Sequence, residues 1–377
     1  MLMPIPDQPE HLDLPFVEAL VEEQHPGIRV TECRIRDVHK FGEANVSTSA
    51  RVSLELSYSG PGAEALPGKV LAKMSMGAAD ATEDVWCGRL FAYYENEVRF
   101  YGRLRKAFVG PHEIETPRAV GGHFDGQALR YVLLIEDMSD RGVHFSAMTD
   151  DTGVRDVEGV LAVLAKVHAR FWNSPRLKAD LAWVPSHVGG ALEEFRRLHV
   201  YEGIRQEVAE YRFKRELLDS VGTGTEELFD CVRRVKDHHH AAMPHMLMHG
   251  DTHLGNTYLT ADGSGGLYDW QCFSRGFGIH DVTYHINTAL SIDLRRKHER
   301  DLLAFYREQL RANGVTDPPD LESLWLAHRR QALVAFCPGW FCTPPVNYGW
   351  DVLMVGLMRL AAAVVDLESR KAIETLP

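Results

Sequence analysis

The first third of the chain carries a patterned run of elements that leaves few architectures open. Three strand-like runs follow one another, IRVTECRIRDV (28–38), TSARVSLELSYS (48–59) and GKVLAKMSM (68–76), with alternating apolar positions bounded by turn residues. A segment from about 86 to 107 then has helical spacing, and two more strand candidates lie at PRAVGGHF (117–124) and LRYVLLIEDM (129–138). A short helix at 15–24 precedes them all. The order strand, strand, strand, helix, strand, strand predicts a small antiparallel-sheet lobe over residues 1–136.

After Met138 the pattern changes to helical periodicity, near 151–173, 191–219, 225–241, 294–312 and 320–336. Two short strand candidates, HMLMHG (245–250) and GGLYDW (265–270), interrupt these helices, and TADGSGG between them supplies turn chemistry, so they are expected to pair as a hairpin. The fold class is therefore α+β, with a larger, mainly helical C-terminal lobe over residues 137–377. At 377 residues and 45% hydrophobic the chain is long enough for two separate cores.

Bulk properties exclude some functions. A net charge of −12 argues against a nucleic-acid partner bound by broad phosphate neutralisation, which needs clustered Lys and Arg. The six cysteines lack the C-x-x-C spacing of common zinc and redox sites and read as reduced thiols. No apolar run reaches membrane-spanning length, and the N-terminus has prolines and acids where a signal peptide needs a basic start and an apolar core. A cytoplasmic location is expected.

The chemistry concentrates in HGDTHLGNTYL (249–259), where Asp251 follows an apolar strand and Asn256 stands five residues later. That is the D-x-x-x-x-N spacing of a phosphoryl-transfer loop. Such a loop needs a carboxylate to orient an acceptor hydroxyl and oxygen ligands to fix Mg²⁺ against phosphates. Asp251 suits the first task, and Asn256 the second. Asp269, thirteen residues after Asn256 at the end of an apolar strand, is the expected second metal ligand.

These residues resemble the aminoglycoside phosphotransferase and choline kinase superfamily, whose signature is HGDxxxxN followed by a strand ending in Asp. GDTHLGN, YDWQ, NEVRFYGRL and DVTYHI look nearest to its ecdysteroid-kinase-like branch, and the resemblance runs from about 28 to 365. It implies a bilobal protein-kinase-like fold and transfer of the γ-phosphate of ATP, or GTP, with Mg²⁺, to a hydroxyl of a small molecule.

A kinase-like site also requires a strand Lys for the phosphates and a helix Glu to orient it. Lys73, a lone charge in VLAKMSM, fits the first. Its expected partner is Glu97, roughly 60° from Tyr94 on a helical projection, whereas Glu95 lies roughly 100° away on the other side. Cys87, Leu90, Phe91, Tyr94, Val98, Tyr101 and Leu104 form the inward stripe of that projection.

The phosphate-covering turn is expected in KFGEANVSTSARV, where Gly42 relaxes the backbone and amides near Asn45 and Ser47 face phosphate oxygens. The backbone of Glu136 to Met138 is the expected adenine-pairing hinge. By resemblance Asp281 braces the catalytic loop, with a helix cap as the alternative. His249 is read as a brace and His253 as a neighbour of the acceptor or phosphate, with a structural role open for both. AFCPGWFCTPPVNYGW (335–350) offers an apolar wall for a lipophilic, sterol-like alcohol, or packs as a loop over the core.

Two other classes compete. A zinc metallohydrolase would use the histidines and carboxylate at 238–253, although no H-E-x-x-H pattern is present. A pseudokinase-like module would bind nucleotide or a small ligand without transfer.

Overall fold

The computed structural model describes residues 4–39, 49–75, 92–337, 340–343 and 345–376. The chain forms two compact units, one of residues up to 111 with Thr116–Gly142, the other of His112–Glu115 with Val143–Pro377.

The first unit is a five-stranded antiparallel sheet in the order β1-β2-β3-β5-β4, built from β1 (Arg29–His39), β2 (Ala50–Ser59), β3 (Lys69–Met74), β4 (Ala119–Asp125) and β5 (Arg130–Glu136). Helix α1 (Leu14–Gln24) covers one face. Its start is set by Asp13, whose carboxylate accepts from the Phe16 amide at 3.0 Å, and by Pro15 in the first turn. Phe16, Val17, Leu20 and Val21 bury against Val52, Leu54, Val70, Ala72, Val132 and Leu134, each stabilising by about 1.5–3 kcal/mol. Gly121 lets α1 approach: a Cβ there would sit 3.0 Å from the Leu20 side chain and 3.2 Å from its backbone.

Strand periodicity sends alternate residues of β3 to opposite faces. Val70, Ala72 and Met74 join the α1 core, and Lys73 points to the other face, which carries α2 (residues 92–99). Tyr94 of α2 stacks on Tyr131 of β5 with ring centroids 4.2 Å apart. The helix expected over 86–107 does not continue as one α-helix: beyond 99 it relaxes into a π turn (Phe100–Leu104) and a 3-10 turn (Arg105–Ala107). Tyr94, Val98, Tyr101 and Leu104 are buried, and Cys87, Leu90 and Phe91 lie outside the described residues.

The second unit is mainly helical, with α3 (Val154–Arg170), α4 (Gly190–Phe195), α5 (Tyr201–Glu210), α6 (Arg212–Ser220), α7 (Thr225–Ala242), α8 (Ile279–Ala289), α9 (Ile292–Ala312), α10 (Leu321–Phe336), α11 (Pro345–Tyr348), α12 (Trp350–Asp366) and α13 (Ser369–Glu374). The single helix expected at 191–219 is three. A π turn at Arg196–Val200 separates α4 from α5, and Tyr211, extended at φ −99° and ψ 113°, separates α5 from α6. All eleven residues of α8 are buried, among them His280, Asp281, Thr283, His285, Asn287 and Thr288. A helix so enclosed must find partners for its polar side chains inside the protein.

The expected hairpin is paired differently. β6 (Met246–Met248) lies against β9 (Ser274–Gly276), while β7 (Thr257–Leu259) and β8 (Gly265–Leu267) form the hairpin. The turn sets this register. The Thr260 amide donates to the Ser264 carbonyl at 2.9 Å, Asp262 accepts from the Ser264 amide at 3.1 Å, and Gly263 takes φ +83°. The Asp251 loop thus runs from the end of β6 to the start of β7.

Candidate active site

On the sheet unit, Lys73 Nζ donates to Glu97 Oε2 at 2.6 Å, with Lys73 5% exposed and Glu97 fully buried. β3 fixes the lysine and α2 the glutamate. Glu95 instead turns to the surface and pairs with Arg99 one turn on. A charged pair this dry holds its geometry because separating it would strand both charges.

At the end of β5 the Glu136 side chain is held by Arg118, whose Nε and Nη2 donate at 3.1 and 2.9 Å. Backbone donors there are partly spent: the Glu136 amide donates to the Arg118 carbonyl at 2.7 Å and the Asp137 amide to the Lys69 carbonyl at 3.0 Å. Met138 begins a 3-10 turn (Met138–Asp140), so its amide has no acceptor within that turn. Gly42, Asn45 and Ser47 lie outside the described residues.

On the helical unit, Asp251 and Asn256 meet across the loop. Asn256 Nδ2 donates to the Asp251 carbonyl at 2.9 Å and to its carboxylate Oδ2 at 3.1 Å. Both amide protons are thereby used, which fixes the carboxamide orientation and leaves Asn256 Oδ1 without a hydrogen bond among the described residues. Asp251 stays about one-third exposed, with Oδ1 accepting no hydrogen bond from the described residues. Gly250 has to be glycine at this turn: at φ +87° a Cβ would fall 2.2 Å from the Cys272 carbonyl oxygen.

Beneath the loop lies Asp281, in the first turn of α8 and fully buried. Its carboxylate accepts from the His249 amide at 2.7 Å, the Gly250 amide at 2.8 Å and His168 Nε2 at 3.1 Å, while its carbonyl accepts from Thr252 Oγ1 at 2.7 Å. The N-cap of α8 is Gly278, so Asp281 acts on the loop rather than as the cap. Burial by itself would raise the Asp281 pKa, but the hydrogen bond and charge of His168 outweigh it and hold the carboxyl below its ordinary value.

Histidines complete the brace. His280 Nε2 donates to the Gly250 carbonyl at 3.3 Å and its Nδ1 accepts from Gln331 at 2.7 Å. His239 Nδ1 in turn reaches Gln331 Oε1 at 3.2 Å, and His285 Nδ1 donates to the Thr252 carbonyl at 3.1 Å. Burial depresses all three, His280 and His285 to about 4 and His239 to about 3, so they are neutral in ordinary buffers. His249 is also depressed by burial; its Nε2 donates to the Tyr268 carbonyl at 2.9 Å, and its Nδ1 accepts from the Asp251 amide at 3.3 Å.

This use of the histidines bears on the zinc alternative. His238 contacts Arg330, His240 contacts His245, and the others serve the loop. No group of three or more His, Cys, Asp or Glu placed to hold a metal occurs among the described residues. The carboxamide oxygen of Asn256 and the carboxylate of Asp269 are a different kind of donor set. Both offer hard oxygen donors, the kind that Mg²⁺ takes. Asp269 adopts the left-handed conformation, φ 60° and ψ 65°, unusual outside glycine but tolerated by Asp.

Beside Asp251, His253 packs among buried aromatic rings. The His253 ring lies 5.4 Å from Trp340 and 6.1 Å from Tyr284. Trp340 belongs to the segment read as an apolar wall, and Phe341 beside it packs into the core against Phe336. The segment is tethered by Lys214, fully buried, whose ammonium donates to Glu207 and the Phe341 carbonyl at 2.8 Å and to the Thr343 carbonyl at 3.1 Å. Neither this tether nor His168 and Gln331 of the brace carries a local sequence signal.

The sequence from 87 to 324, well over half of the chain, matches the profile of the phosphotransferase enzyme family. The chain belongs to that family. Glu97, Asp251, Asn256, Asp269 and Asp281 fall inside the matched stretch and Lys73 upstream of it, and the chain is a phosphotransferase of that family. Similar solved structures include a choline kinase from Streptococcus pneumoniae (13% identity, TM-score 0.44, 89% of this chain and 94% of that one). Others are an ethanolamine kinase from Plasmodium vivax (12%, 0.48, 90% and 83%) and an aminoglycoside phosphotransferase (13%, 0.40, 93% and 98%). No curated protein matches the sequence. No described helix of this phosphotransferase is long and apolar enough to cross a membrane.

Proposed function

We propose that this phosphotransferase moves the γ-phosphate of ATP or GTP onto the hydroxyl of a small alcohol, with Asp251 engaging the acceptor. The observation that carries the reading is the Asp251–Asn256 pair. Its internal hydrogen bonds spend the donors and leave two oxygens unbonded among the described residues: a carboxylate oxygen suited to a hydroxyl proton and a carboxamide oxygen suited to a cation.

The residues divide the work. Lys73, oriented by Glu97, neutralises phosphate charge; Asn256 and Asp269 would hold Mg²⁺, which supplies further neutralisation when bound. Asp251 orients the acceptor oxygen in line with the γ-phosphorus. As the new O–P bond forms and the bond to the bridging oxygen breaks, the hydroxyl proton passes to Asp251 and the nucleoside diphosphate leaves. Backbone groups at the end of β5, the Met138 amide among them, are assigned to the base. Gly42, Asn45 and Ser47 are assigned to the phosphates on sequence alone.

The acceptor assigned here is a lipophilic alcohol, supported by Trp340 standing beside His253 close to Asp251, and placement in the ecdysteroid-kinase-like branch rests on the quoted motifs. Release of ADP over a panel containing a sterol, an aliphatic alcohol and an amino alcohol tests it. Asp269→Ala is expected to lose Mg–ATP binding measured by calorimetry, whereas Asp251→Ala keeps binding and loses turnover. Undiminished turnover in either variant refutes the assignment, and ADP release equal to that of Asp251→Ala with every alcohol favours a binding module without transfer.

A further inference from the structure

His253 is placed to do more than pack. It caps the 3-10 turn Leu254–Asn256, with Nδ1 accepting from the Gly255 amide at 3.1 Å. A nitrogen that accepts carries no proton, so the neutral ring keeps its proton on Nε2. That Nε2 faces Asp251 Oδ2 at 3.8 Å, beyond hydrogen-bond range but within a small movement of it. Tyr284 and Trp340 flank the ring, and only 16% of the His253 side chain is exposed. Burial, and then the charge of Asp251, push the Tyr284 pKa well up, so its phenol is neutral and adds no second charge beside the carboxylate. His285 is neutral and its described nitrogen bond goes to the Thr252 carbonyl rather than to the Asp251 carboxylate.

Resting on the assignment of Asp251 above, we propose that His253 is a positioning residue: its Nε2–H closes on Asp251 Oδ2 when the acceptor binds, so that Oδ1 alone receives the acceptor hydroxyl. Oδ2 already accepts from Asn256 at 3.1 Å. A second donor there stops the carboxylate from rotating and offers the hydroxyl one defined oxygen. The loop thus builds into one short stretch the turn cap, the tautomer it enforces and the alignment of the carboxylate.

His253→Asn separates these roles, since the Asn side chain oxygen still caps the turn but nothing reaches Asp251. With Mg–ATP and the alcohol of the panel giving fastest ADP release, or water where none exceeds it, kcat is expected to fall about tenfold, the worth of one charge-assisted hydrogen bond. The Kd for Mg–ATP and the melting temperature stay as in the unsubstituted protein. Unchanged kcat overturns the proposal, and so does a joint loss of kcat and Mg–ATP affinity, which would make His253 a turn cap only. Imidazole nitrogen NMR adds a readout independent of turnover: the Nε2–H tautomer is expected, and a dominant Nδ1–H tautomer overturns the proposal. If Asp251→Ala retains turnover, the assignment of Asp251 fails instead, whatever His253→Asn does.

Discussion

Mild acid should unfold the helical unit well before its carboxylates titrate, because the catalytic loop rests on buried neutral histidines. His280 and His285 have pKa values near 4 and His239 near 3, against 6.5 for a free imidazole. In each case the folded value is depressed, so between 6.5 and the folded value the unfolded chain binds the extra proton, and stability falls as pH falls through that window. At pH 5 the unfolded imidazole is 1.5 units below its pKa while the folded one is still mostly neutral; at 1.36 kcal/mol per unit this costs about 2 kcal/mol for each histidine. His239 and His280 share Gln331 and are not independent, so the three together cost on the order of 4–6 kcal/mol, a large part of ordinary domain stability. Urea denaturation followed by tryptophan fluorescence at pH 7.5, 6.5, 5.5 and 5.0 measures this. The midpoint should be flat above about pH 7 and drop steeply below 6.5, and His285→Asn should shrink the drop. A midpoint constant from pH 7.5 to 5.0 would show that these rings are not held neutral, and the reasoning would fail.

Asp281→Asn replaces one oxygen that accepts from the loop by an NH₂ group facing an N–H, and removes the charge that draws in His168; a loss of about 3–5 kcal/mol in denaturant unfolding is expected, with turnover falling as the loop loosens, and a change under 1 kcal/mol would refute the brace. Gly250→Ala places a methyl against the Cys272 carbonyl and demands φ +87° of an L-residue, so a loss of about 2–4 kcal/mol and a fall in kcat larger than any fall in Mg–ATP affinity are expected; full activity at unchanged melting temperature would contradict the geometry.

Much of this protein could be read before folding it. The strands were legible because β2 alternates, β5 is a short continuous apolar run and turn residues bound them, and Lys73 stood out because a charge in an apolar strand needs a reason. Asp251, Asn256 and Asp269 were found by spacing. The strand pairing around them was misread since β9 is only Ser274–Gly276, three residues without periodicity, and nothing local tells Met246–Met248 to pair with it rather than with β8. The break at Tyr211 and the π turn at Arg196–Val200 lack Gly or Pro and left no mark. The brace was hardest to see. His168, Gln331 and His239 converge on the loop from three helices, and long-range polar contacts of that kind have no sequence period.

His249 bonds at one end of its ring to the Asp251 amide and at the other to the Tyr268 carbonyl, the residue before Asp269. One rigid imidazole is thus a spacer between the carboxylate assigned to the acceptor and the one assigned to the metal. Neither stretch of backbone can drift without dragging the other, so their spacing is set by the dimensions of a ring rather than by the flexibility of two loops. Under the proposed function, side chains around His253 could be exchanged for a different acceptor while this ring keeps the two carboxylates at their spacing.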